Sequence, residues 1–257
     1  MKGLAVTLWG VVALAAAAQA LAVEGYYLEE ESSRPAMFGK PAAKDMVKTW
    51  LVPGKLRKDE GEARTSTLVD VKHGTITVVD HTQHSFFTIE RGALEEMGRL
   101  GAAFMAQGED TQGAAALVHY TGTTRKVGPW PCREAVIENR PLPGTRVTLC
   151  LSDEVGIDPA LRQQASELSL GGGSGPLAKL VEELRQIKGY PVEVSIKLNL
   201  DGHSFETTQT LLKADKREIE DRLFDVPNGY KQVENPFAGL AGAAAARPAE
   251  TSPEAGK

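Results

Sequence analysis

The chain has 257 residues, 42% of them hydrophobic and 25% charged, which excludes collagen-like, coiled-coil and wholly disordered readings. Its 29 basic and 34 acidic residues give a formal net charge of −5, which argues against a dedicated nucleic-acid binder. Aromatic residues make up only 6%, too few for a base-stacking platform.

Residues 1–22 set the expected compartment. Met1-Lys2 carries one positive charge, Leu4 to Ala18 is largely apolar, and Ala18-Gln19-Ala20 and Ala20-Leu21-Ala22 are small-x-small patterns. This is the layout of a secretory signal peptide, with cleavage predicted after Ala22. The apolar run is shorter than the roughly 20 residues of a membrane span, and Glu24 follows it at once. An exported location, periplasmic or secreted, is therefore expected.

Short strands fill the next stretch. Met46–Val52 ends at Pro53-Gly54, Lys55–Glu60 follows, then Ser66–Lys72, His73-Gly74, Thr75–Asp80 and Ser85–Glu90. Turn signals every eight to twelve residues predict an antiparallel sheet or partial barrel. No internal repeat of fixed period stands out. Between Gly92 and Gln107 the apolar spacing lengthens to three or four, the period of a helix. Leu117–Thr124 returns to strand. Residues 132–139 and 145–151 read as a hairpin around Arg140-Pro141-Leu142-Pro143-Gly144.

That hairpin carries both cysteines, Cys132 and Cys150. An even count in an oxidising compartment points to a disulfide. Direct opposition of the two would pair residue 138 with residue 144.

Asp158-Pro159 looks like a helix cap followed by proline at the first helical position. The glycines of 171–175 break the chain. Pro176–Lys188 then carries an apolar stripe of Leu177, Leu180, Val181, Leu184 and Ile187, predicted to lie on the concave side of the sheet. Val192–Leu200 alternates cleanly, and Asp201-Gly202 predicts a tight turn placing Leu200 opposite His203, Leu198 opposite Phe205 and Ile196 opposite Thr207. His203–Lys213 is the partner strand, Lys216–Leu223 reads as a charged helical turn, and Phe224–Val233 closes the fold. The expected organisation is a signal peptide at 1–22, one domain at 23–235, and a disordered Ala/Pro-rich tail at 236–257.

Candidates for chemistry are sparse. Asp80, His81 and His84 could contribute to a metal site, but a third firm ligand is missing, and they read as solvated turn residues. Ser174 lacks the strand and the glycine spacing of a nucleophile elbow. The acidic runs Glu29-Glu30-Glu31 and Asp153-Glu154 read as solvated. Trp50, Phe86 and Phe205, with Leu180 and Leu184 from the helix, are the candidates for lining an apolar ligand pocket. No catalytic residue, metal ligand or cofactor site is predicted.

Five segments carry a family resemblance: residues 46–60 (MVKTWLVPGKLRKDE), 73–89 (HGTITVVDHTQHSFFTI), 127–137 (VGPWPCREAVI), Gly189-Tyr190-Pro191-Val192 and 223–233 (LFDVPNGYKQV). In this order they resemble the bacterial domain of unknown function numbered 4412, related to the lipoprotein-carrier (LolA/LolB-like) superfamily. The resemblance implies an α+β fold: a strongly curved antiparallel sheet, a half-barrel, with helices packed on its concave face. It carries no catalytic residues. Segments 92–108 and 153–175 are longer and richer in Gly and Ala than the family leads one to expect.

Three functions fit. The first is a non-enzymatic periplasmic protein binding or carrying a hydrophobic ligand such as a lipid or acyl chain. The second is an envelope structural, interaction or sensing module with a protein partner and no small ligand. The third is a hydrolase or metal-dependent enzyme resting on His81 and His84.

Overall fold

The computed structural model describes residues 22–36, 41–93, 96, 117–138, 145–161, 163–164, 187–200 and 203–236. Twelve strands form one sheet: β1 Ala22–Arg34, β2 Ala43–Val52, β3 Lys55–Glu60, β4 Thr65–Asp70, β5 Thr75–Asp80, β6 Ser85–Glu90, β7 Leu117–Val127, β8 Trp130–Glu138, β9 Thr145–Ser152, β10 Tyr190–Leu200, β11 His203–Glu220 and β12 Lys231–Gln232. Their spatial order is β12-β6-β5-β4-β3-β2-β1-β11-β10-β9-β8-β7. Two meanders, β1–β6 and β7–β11, are thus joined along a long antiparallel seam between β1 and β11. Only the short β12–β6 pair is parallel.

The first meander keeps strict time. β3 to β6 are six residues each and start at 55, 65, 75 and 85, so strand plus turn repeats every ten residues. The sequence shows no matching repeat because different residues solve the same turn. Gly74 and His84 both close their turns in the left-handed region, with φ of 66° and 51°. His84 accepts a conformation that glycine takes more readily.

Alternation divides β1–β6 into two faces. One, the Leu28 face, carries Tyr26, Leu28 and Glu30 of β1, with Leu51, Leu56, Val69 and Ile76 aligned across the neighbouring strands. The other, the Trp50 face, carries Tyr27, Trp50, Arg57 and Leu68 in one cross-strand row. Gly25 lies where a side chain would collide with the Leu51 carbonyl oxygen at 2.4 Å and Val52 Cγ1 at 2.6 Å, so β1 needs glycine there.

The main core lies on the Leu28 face and continues into the second meander. Tyr26, Leu28, Leu51, Leu56 and Val69 join Leu211, Val192, Cys150, Cys132, Trp130 and Val127 in a single apolar cluster. Among the described residues, its members outside the strands are Val155, Ile157 and Leu161. The 155–164 segment is fastened to the first meander. Tyr26 Oη donates to the Gly156 carbonyl (2.7 Å), the Gly54 amide donates to Gln164 Oε1 (2.9 Å), and Gln164 Nε2 donates to the Val52 carbonyl (3.1 Å). Asp158 caps this segment, accepting from the Ala160 amide at 2.8 Å. A second cluster of Ala135, Ile137, Leu149, Leu151 and Ile187 lies on the face of β8 and β9 opposite the cysteines.

The expected α+β half-barrel with helices on its concave face is corrected. Among the described residues the sheet is the body of the molecule, it is open with β12 and β7 at its edges, and little helix packs on it. Two misread segments explain part of this. Ala22–Arg34 is a strand despite its acidic run, and Lys216–Glu220 belongs to β11 instead of a helical turn. Each is held by the other: Tyr26 faces Lys216 and Ala22 faces Glu220, so tertiary pairing overrides local propensity. Only Asp221–Phe224 makes a turn of 3-10 helix.

The predicted pairing of Leu200 with His203, Leu198 with Phe205 and Ile196 with Thr207 is observed. The disulfide is present between Cys132 and Cys150, with Cα atoms 5.4 Å apart. The β8–β9 register, however, places Cys150 opposite Glu134 and Leu151 opposite Arg133, two residues from the predicted alignment. All but Ala22 of the predicted signal peptide, the glycine break at 171–175, nearly all of the helices at 92–107 and 176–188, and all but Pro236 of the predicted tail lie outside the described residues.

Candidate functional site

The five residues expected to line one pocket do not converge. Trp50 is on β2 and Phe86 on β6, both half-buried on the Trp50 face. Phe205 stands near the start of β11, paired with Leu198 and beyond the last residue that β1 reaches, Thr208. Leu180 and Leu184 lie outside the described residues.

His84 is an exposed turn residue as expected, whereas His81 is half-buried. Both rings pack edge-on against Tyr230, with centroids 5.6 and 5.2 Å away. His81 also belongs to a buried polar chain. The Ser66 hydroxyl donates its proton to Asp59 Oδ1 (2.6 Å), so the 2.7 Å contact between Ser66 Oγ and His81 Nε2 has the ring as donor. With the imidazole neutral, Nδ1 then accepts from Tyr230 Oη at 2.9 Å. Arg57 completes the chain. Its Nε and Nη2 donate to the two oxygens of Asp59, and its Nη1 donates to the Leu223 carbonyl at 2.9 Å. Ser66 is 1% exposed and cannot meet a substrate, so this aspartate–serine–histidine arrangement is not a hydrolase triad. It fastens the 221–233 strap over the Trp50 face, where Lys231 and Val233 amides donate to the carbonyls of His84 and Phe86. Among the described residues, no three His, Cys, Asp or Glu side chains come together to hold a metal ion.

Two places on the sheet could meet a ligand. The first is the Leu28 face, to which every strand except β6 and β12 contributes a cluster member. Within this apolar expanse sits Glu30, 9% exposed, flanked across the sheet by Val47 and Leu211. Gln209 Nε2 donates to its Oε2 at 2.7 Å. Burial raises the Glu30 pKa, against the opposing influence of the Gln209 hydrogen bond and the Lys58 charge. Tyr190 lies close by; burial, helped by the negative charge of Glu30, lifts its phenol well above the ordinary range. The acidic run suggests a solvated Glu30, and the structure buries it. The signal that could have found it is parity: Tyr26, Leu28 and Glu30 are spaced by two, so a strand that buries the first two also buries the third.

The second place is a groove of about 610 Å³ on the Trp50 face, between β11, β2, β3 and the strap. Its floor is aromatic and cationic. Tyr27 packs against Trp50 with ring centroids 5.2 Å apart, the Arg217 guanidinium stacks 3.8 Å above the Tyr27 ring, and Arg57 lies 5.7 Å from the Trp50 ring. Tyr27 Oη donates to Glu29 Oε1 at 2.6 Å; burial, then this bond and the Glu29 charge, push its pKa up to about 12.

No protein-family model matches the chain, and no curated protein matches it, so the resemblance to family 4412 is without a matching model. Among solved structures, PNGF-II is 9% identical over 86% of this chain with a TM-score of 0.41, and the chain spans about a third (32%) of its length. An uncharacterised conserved protein from Thermus thermophilus is 5% identical with a TM-score of 0.46, covering 82% of this chain and 90% of that one. The LolA superfamily protein NE2245 of Nitrosomonas europaea is 7% identical with a TM-score of 0.31, covering 79% and 90%. At these scores no residue role transfers from any of them.

Proposed function

We propose that residues 23–235 form one exported, non-enzymatic domain of the kind grouped in family 4412, holding a hydrophobic ligand such as a lipid or acyl chain against the Leu28 face. The observation that carries this reading is the apolar cluster running unbroken from Ile76 of β5, through the β1–β11 seam, to Trp130 of β8. An apolar face of that breadth is one against which an acyl chain can pack without leaving a polar group unpaired. The Cys132–Cys150 disulfide fits a periplasmic or secreted location. Among the described residues no helix is long and apolar enough to cross a membrane.

Native mass spectrometry of the protein purified from the periplasm, followed by organic extraction, tests the reading. A co-purified hydrophobe is the expected result. A bare chain that also fails to brighten a hydrophobic dye would overturn it. The full burial of Leu51, Leu211, Val192 and Cys150 favours a second reading, an envelope interaction module with a filled core, and that negative result would support it.

A further inference from the structure

The groove on the Trp50 face is independent of the Leu28 face, and its chemistry is different. Each of its three arginines has a distinct status. Arg57 spends its donors on Asp59, Ser66 and the Leu223 carbonyl. Arg222 is paired with Glu220. Arg217 has no carboxylate partner among the described residues, and its stacking on Tyr27 fixes the guanidinium plane while leaving its N–H edge available. Beside it, Trp50 offers a half-buried flat ring, and Leu223 and Val226 of the strap supply an apolar wall.

We propose that this groove binds an organic monocarboxylate with a flat apolar body. Arg217 holds the carboxylate through two parallel N–H···O bonds, and the body lies along Trp50 beneath the strap. Two observations set the charge. An arginine stacked on an aromatic ring is pre-organised for bidentate carboxylate recognition, so little side-chain freedom remains to be lost on binding. Asp225 also lines the groove, so a group carrying two negative charges meets repulsion that a single carboxylate escapes. The apolar part follows from the lining: an inorganic anion would leave Trp50, Leu223 and Val226 uncovered, whereas an aromatic carboxylate covers them.

The probe is 2-naphthoate, with 2-naphthamide as its neutral counterpart, titrated calorimetrically into the full protein. Naphthoate should bind one per chain, and naphthamide about tenfold more weakly, the size expected for loss of one charge-assisted hydrogen-bond pair at an exposed position. Arg217→Gln should weaken naphthoate by about the same factor and leave naphthamide unchanged. Arg217→Lys should recover only part of the loss, because an ammonium cannot form the planar pair. Trp50→Ala should weaken both ligands together. Thermal melts of each variant report folding separately, and the naphthoate-to-naphthamide ratio on the unaltered protein needs no variant at all. Equal affinity for the two ligands, no binding of naphthoate, or naphthoate affinity unmoved by Arg217→Gln would each overturn the proposal.

Discussion

The two meanders solve the same problem by different means. The first, β1–β6, carries four six-residue strands, β3–β6, on a ten-residue period, and the strap and a buried polar chain fasten one of its faces. The second, β7–β11, has register irregularities in β7 and β10 and a disulfide joining β8 to β9. Regular turns fix register locally, so the first meander needs no covalent link. In the second the register slips on both sides of the β8–β9 pair, and the cross-link ties that central, unbroken pair together.

The largest effect is expected where the two meanders meet. Leu51 is 1% exposed beneath the seam, and Leu51→Ala should cost about 2–5 kcal/mol by denaturant unfolding. Because the core is shared, all probes should lose stability together; a loss confined to the first meander would show that the two halves unfold separately.

Breaking the disulfide comes next. Replacing Cys132 and Cys150 with alanine, across a separation of 18 residues, should cost about 3 kcal/mol on loop-closure grounds. Hydrogen exchange should rise in β8 and β9 more than in β3–β6. A uniform rise would contradict the division of labour between the meanders.

Tyr230→Phe removes one hydrogen bond to His81 and should cost about 1 kcal/mol. Its signature is faster exchange of the Lys231 and Val233 amides with β8–β9 unchanged. Slow exchange at those amides would mean that the Arg57 bond to Leu223 and the ring packing hold the strap without this hydroxyl.

The smallest effect is a slope. Burial raises the Glu30 pKa, so above the ordinary carboxylate range the folded chain keeps a proton that the unfolded chain has lost. Stability therefore falls as pH rises from that range through the raised value, and is level beyond it. Glu30→Gln should flatten this part of the stability–pH profile, and an unchanged slope would place its origin elsewhere.

What could be read from the sequence follows from the same contrast. β3, β5 and β6 match their predicted ranges because Pro53-Gly54 and His73-Gly74 announce turns and the pairing partner is the next strand. β1 and the end of β11 escape a local reading because each finds its partner far along the chain, beyond any local window. The groove suffers the same blindness: Tyr27 and Trp50 come from the first strands, Arg217 and the strap from the last. The cysteine pair was legible from count alone, but its register was not, since the alignment of β8 with β9 depends on a connection that turn signals left open.

The β1–β11 seam also has a consequence for the order of events in time. A ribosome delivers β1 at the start of this structure and β11 near its end, with Ala22 waiting for Glu220. Hairpins from β2 to β6 can zip within microseconds of emerging, since each closes over two or four residues. β1 gains one neighbour early but keeps a bare edge until the chain is nearly complete. Closing that seam is the high-contact-order step, and so the natural rate-limiting one. Until it closes, the acidic stretch Glu29-Glu30-Glu31 is what discourages another nascent chain from adding to the open edge.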